Sequence, residues 1–232
     1  MADRVVVPGE ADGAGRVLSR RPTADEAAPG RAAGEGLIRR RALLTAPLLA
    51  LPLSAGAMPA GGYRFRLVRE GREIGTHTVR TEPGGVTRTT VALEVKLLSF
   101  TVFRMTHDYA ERWQGGRLVG FAARTLRNGD EGRLELVATP DGLRGEGPEG
   151  AVRLPAEAAP LSWWTPAHLE RPLFDTATGK PLTSAPQRSR QGALARWEWP
   201  ERGMVALYDA AGTWVAFSMR GDDGSTVRYE AG

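Results

Sequence analysis

Three histidines, His77, His107 and His168, are the side chains of this 232-residue chain best suited to acid–base or metal chemistry. No H-E-x-x-H spacing is present, and His107 followed by Asp108 makes no ligand pair, because adjacent strand residues point to opposite faces. His107 stands on an otherwise apolar strand face. It is either a core histidine satisfied by a neighbour, or a general base or ligand contact. His77 falls opposite Arg64 if the Glu70-Gly71 turn is tight, which puts it on a more polar face. His168 is expected to be partly exposed. The chain has no cysteine, which excludes disulfides, thiolate metal sites and cysteine nucleophiles. No G-x-S-x-G elbow surrounds Ser162, and no Walker or dinucleotide glycine motif occurs. Asp130-Glu131 and Asp222-Asp223 lie in turns. Asp175 to Gly179 carries a single carboxylate and reads as a polar turn rather than a calcium loop. No catalytic residue, metal ligand or cofactor is therefore assigned.

The elements that would position these residues are strands. After residue 58 no long helical period appears, whereas apolar and polar residues alternate between Gly, Asp and Pro breaks. "YRFRLVR" (Tyr63 to Arg69) turns at Glu70-Gly71 into "REIGTHTVR". The longest run, Val86 to Trp113, slips near Leu98-Ser99-Phe100, and after it Phe103, Met105, His107, Tyr109 and Trp113 share a face. Short turns imply antiparallel neighbours. The expected fold is all-β: a meander of about 9–11 strands, coiled into a barrel or half-barrel.

One stretch interrupts the pattern. From about Pro155 to Pro181 the chain carries Leu161, Trp163, Trp164, Leu169, Leu173 and Phe174, with Thr165 as an N-cap and Pro166 opening a short helical turn. A half-barrel exposes an apolar concave face, and this is the segment able to cover it. The tryptophan pair is expected to pack against the sheet and to wall any pocket beneath. The candidate ligand-pocket residues are Phe103, Met105, His107, Trp113, Trp163 and Trp164.

The N-terminal part speaks of destination. Residues 1–36 are rich in Gly, Ala, Arg and Pro, and read as a disordered extension or a misplaced start. Residues 37–57 have the form of a signal peptide. Arg40 and Arg41, followed by Leu43 and Leu44, fit the twin-arginine pattern, and Ala55 and Ala57 frame a cleavage site. The apolar run is too short to span a bilayer, which needs about twenty residues. Residues 58–232 are then a single exported β-domain, periplasmic or secreted. The net charge is +4, about half of it before residue 58, so the pI of 9.9 does not imply a nucleic-acid partner.

"GREIGTH" (Gly71 to His77), "FRMTHDYAERW" (Phe103 to Trp113), "SWWTP" (Ser162 to Pro166) and "LFDTATG" (Leu173 to Gly179), in this order, resemble an exported bacterial family catalogued as domain of unknown function 6134. In that family an asparagine often follows the S-aromatic-W unit, where this chain has Thr165. The resemblance implies export and no assigned activity, so it transfers no catalytic residue. More distantly, an antiparallel sheet with a helical plug is similar to periplasmic lipoprotein carriers with an unclosed barrel. The expected function is non-enzymatic: binding an apolar or lipid-like molecule, or an envelope partner. The alternatives are an enzyme using His107 with His77, and a structural or assembly module of the envelope.

Overall fold

The computed structural model describes residues 58–98, 100–221 and 223–232. The expected signal peptide, residues 37–57 with its cleavage site at Ala55 and Ala57, lies outside the described residues. Thirteen strands form one antiparallel sheet. They are β1 (Tyr63–Arg69), β2 (Arg72–Glu82), β3 (Val86–Leu97), β4 (Phe100–Gln114), β5 (Arg117–Arg127), β6 (Asp130–Thr139), β7 (Gly142–Gly147), β8 (Gly150–Leu154), β11 (Gln187–Gln191), β12 (Leu194–Trp199), β13 (Met204–Tyr208), β14 (Trp214–Arg220) and β15 (Thr226–Ala231). The two remaining strands, β9 (Ala159–Pro160) and β10 (Leu173–Phe174), pair in parallel with each other. The sheet exceeds the expected 9–11 strands. Part of the difference is β11, "QRSRQ", exposed along its whole length and without the alternation that marks a strand with one buried face.

The sheet order is β11-β12-β13-β14-β15-β1-β2-β3-β4-β5-β6-β7-β8. Two meanders are thus zipped together by β15 against β1, and the sheet stays unclosed, with β8 and β11 at its edges. The chain between those strands, residues 155–186, must travel from one edge to the other. It does so across the apolar face, which is why this stretch covers the sheet. Its residues enter two of the three buried clusters. Trp163, Leu169 and Leu173 pack with Phe65, Trp214 and Phe217, while Ala158 and Phe174 pack with Phe121 and Leu136. The third cluster, Leu67, Val91 and Val227 with Leu93 and Met105 against it, receives no side chain from the cover.

Turn chemistry sets the registers. Glu70 and Gly71 both have positive φ, 50° and 74°, giving the tight hairpin that joins β1 to β2. The pairing then shifts between Leu67 and Val68, so that Phe65 rather than Arg64 faces His77. This corrects the expected polar setting of His77. One extra residue in β2 turns every later side chain to the other face, and His77 is buried. In the cover, Thr165 holds an extended backbone before the 3₁₀ turn Pro166–Glu170, but its side chain makes no capping hydrogen bond. Gly179 adopts φ 76°, which favours glycine, and a Cβ there would come within 2.8 Å of Leu134 Cδ1, so the loop lies close against the sheet.

Candidate functional site

Part of the sheet's apolar face is built along β4, where Phe103, Met105, His107, Tyr109, Glu111 and Trp113 alternate with outward residues. Glu111 is fully buried. Trp113 Nε1–H donates to its Oε2 at 2.8 Å, and Trp164 Nε1–H from the cover donates to Oε1 at 3.0 Å. Each carboxylate oxygen thus receives one indole proton, and the second of those bonds ties cover to sheet. Burial pushes the Glu111 carboxyl up to about 7, while the two indole donors and the nearby Ser162 hydroxyl favour its ionised form and limit the rise. His168 stacks on Trp113 with ring centroids 4.0 Å apart and meets Trp164 edge-on at 5.2 Å. Burial, and then the Arg171 guanidinium, hold His168 down to about 3, so it is neutral here. This assembly is a latch. Both carboxylate oxygens of Glu111 are occupied by indole donors, one of them from the segment it fastens.

His107 is fastened in a similar way. Its Nδ1 lies 2.8 Å from Thr125 Oγ1 on β5, and its Nε2 lies 3.0 Å from Thr176 Oγ1 on the cover. One ring nitrogen donates and the other accepts, and both are used. Burial lowers its pKa, offset in part by the Asp175 and Asp108 carboxylates. His77 sits in the same cross-strand row, because His77 pairs with Val91 and Val91 with His107. Two strand spacings, about 9–10 Å, therefore separate the two histidines. Both ring nitrogens of His77 are buried without a hydrogen-bond partner, its ring lies edge-on to Trp214 and Tyr229, and burial holds it down to about 3. The three histidines do not converge. No group of three or more His, Asp or Glu able to hold a metal exists among the described residues. Asp175 Oδ1 accepts from the Ala177 and Thr178 amides and from the Thr178 hydroxyl, closing the polar turn expected there.

Where the cover stops, the face is open. A cleft of about 410 Å³ lies over the third cluster, floored by Leu67, Ile74, Val91, Leu93 and Met105, with Phe103 and Val102 in one wall. Arg69, Arg127, Arg220 and Asp223 also line it. Arg69 is ion-paired to Asp223, and Arg127 lies over the Phe103 ring, 5.1 Å from its centroid. The β3–β4 hairpin extends past the cleft and exposes Leu98 (87%) and Phe100 (77%) to solvent.

The structure divides the six sequence-derived pocket residues. Phe103 and Met105 line the cleft. Trp113 and Trp164 clamp Glu111, and His107 bridges β5 to the cover. Trp163 is core: its ring meets Phe217 at 5.0 Å, and its carbonyl accepts the Tyr208 hydroxyl at 2.7 Å. The cleft arginines Arg69, Arg127 and Arg220 carry no motif, whereas Glu111 lies within the stretch Phe103 to Trp113. Glu111 was visible only by parity, two residues from Tyr109 and two from Trp113.

An unclosed antiparallel sheet strapped across its apolar face, with an open cleft at one end, defines the class. The chain belongs to the family described as a domain of unknown function, DUF6134, whose model matches residues 65–232. No curated protein matches. Among solved structures, a DUF1089 family protein from Pseudomonas aeruginosa is similar at 14% identity and a TM-score of 0.42, over 62% of this chain and 89% of its own. Among the described residues no helix is long and apolar enough to cross a membrane.

Proposed function

We propose that this protein is an exported, non-enzymatic binder that holds an apolar or lipid-like molecule in the cleft left open at the end of its strap. Support comes chiefly from one observation. The third apolar cluster has a side-chain floor but no cover, and its volume of about 410 Å³ falls in the usual range of ligand pockets, roughly 300–1,000 Å³. Glu111 and His107 spend their hydrogen-bonding atoms on neighbours in the sheet and the strap. The test is native mass spectrometry of the protein recovered from the periplasm under mild extraction. A bound apolar molecule of defined mass is expected. A bare protein that also takes up no apolar probe defeats the proposal.

An envelope-protein partner draws on a different observation, the solvent-exposed apolar tip at Leu98, Phe100 and Val102. A photo-crosslinking residue at position 100 would then yield one defined protein adduct. Only lipid adducts, or none, would remove that reading.

A further inference from the structure

The cleft has a charged mouth on a greasy floor, and the two have different chemistry. Its lining contains three guanidinium groups, on Arg69, Arg127 and Arg220, and one carboxylate, on Asp223. Those arginines come from separate elements: the end of β1, the end of β5 and the end of β14. They line one cleft because the ends of β1, β5 and β14 lie along the same margin of the sheet. Arg69 leaves its Nε–H buried without an acceptor although its other end is paired to Asp223. A buried donor without an acceptor is costly, and a bound anionic oxygen would satisfy it. Behind the arginines the floor is Leu67, Val91, Leu93 and Met105, with no ionisable side chain among them.

From this arrangement we infer that the cleft takes a single-chain amphiphile with an anionic head, its carboxylate or phosphate oxygens among the arginines and its alkyl chain along the apolar floor. The inference rests on the cleft being the binding site, and it adds the head-group class. Guanidinium suits the task because its fork of N–H donors matches an oxyanion and remains charged at any working pH. Asp223 keeps the mouth from being uniformly basic and disfavours binding of two anions at once.

The test uses the full mature chain loaded with the apolar fluorophore N-phenyl-1-naphthylamine and displaced in turn by dodecanoate, dodecanol and dodecyltrimethylammonium, all below micelle formation. Dodecanoate is expected to displace the probe about tenfold more tightly than dodecanol, with the ammonium compound weakest. Arg220→Gln should reduce the preference for the acid over the alcohol while leaving dodecanol unchanged. Arg69→Gln should do the same, and Arg220→Gln serves as the control should loss of the Arg69–Asp223 pair loosen the fold. Equal affinity for acid and alcohol, or a preference for the cation, overturns the head-group assignment while the cleft stands. Failure of the fluorophore itself to bind overturns the cleft and the head group together. Displacement by anionic vesicles of phosphatidylglycerol, a two-chain lipid, to the exclusion of dodecanoate overturns the single-chain assignment; displacement by dodecanoate alone supports a free single-chain amphiphile.

Discussion

Glu111 is the residue on which the fastening turns. Its folded pKa of about 7 stands above the ordinary 4.5. The folded state therefore holds the proton more tightly than the unfolded chain. Its contribution is fully present below pH 4.5 and is lost as pH rises through 7, a change on the order of 3 kcal/mol. Glu111→Gln should flatten that part of the stability–pH curve, read as urea midpoints between pH 5 and 8. An unchanged slope would remove the carboxyl from the account. Trp164→Phe deletes one indole donor and leaves Oε1 buried without its partner. The expected loss is about 1–3 kcal/mol, measured by urea unfolding, with the Glu111 pKa rising further. A variant as stable as the parent would mean that Trp164 merely packs.

At the scale of elements, the strap and the sheet face must rise and fall together. Leu161 N–H donates to the Phe174 carbonyl and Leu182 N–H to the Leu173 carbonyl, so the strap holds its own backbone while its side chains fill two clusters. Phe174 is fully buried and meets Phe121 edge-on at 5.2 Å. Phe174→Ala should cost about 3–5 kcal/mol, and in the parent the Leu161 and Leu182 amides should exchange as slowly as those of β4. Fast exchange in the strap with a protected sheet would show that it opens on its own. Most strands were legible because one face is buried, which imposes alternation. β11 was not, since it is exposed along its length, and the face of His77 was not, since a bulge carries no residue signature. The strap was legible from its composition. Where it ends on the sheet was not, because that depends on which edges the chain must join, and so the expected pocket grouped Phe103 and Met105 with His107, Trp113, Trp163 and Trp164 and left out Leu93 and its neighbours.

For the whole molecule, two opposing titrations decide the response to acid. His77 and His168 are held down to about 3 from 6.5, and His107 is lowered as well. A depressed histidine contributes stability above its unfolded pKa, and this is lost as pH falls from 6.5 toward 3. Glu111 works in the other direction between 4.5 and 7, but it is one group against at least two with larger shifts. Net stability should therefore fall on acidification, seen as a lower Tm at pH 5 than at pH 7. His77→Phe should lessen that fall, and a Tm that rises with acid would contradict the balance.

The strap leaves one end of the apolar face bare, and a single titration asks whether an apolar molecule fills it. N-phenyl-1-naphthylamine is added to the parent protein, to Leu93→Glu in the cleft floor and to Trp164→Phe in the latch, with each variant's fold checked by circular dichroism. One saturable site is expected in the parent, retained in Trp164→Phe and abolished in folded Leu93→Glu. No saturable uptake by the parent, or uptake that Leu93→Glu leaves intact, would contradict the cleft as the protein's binding site.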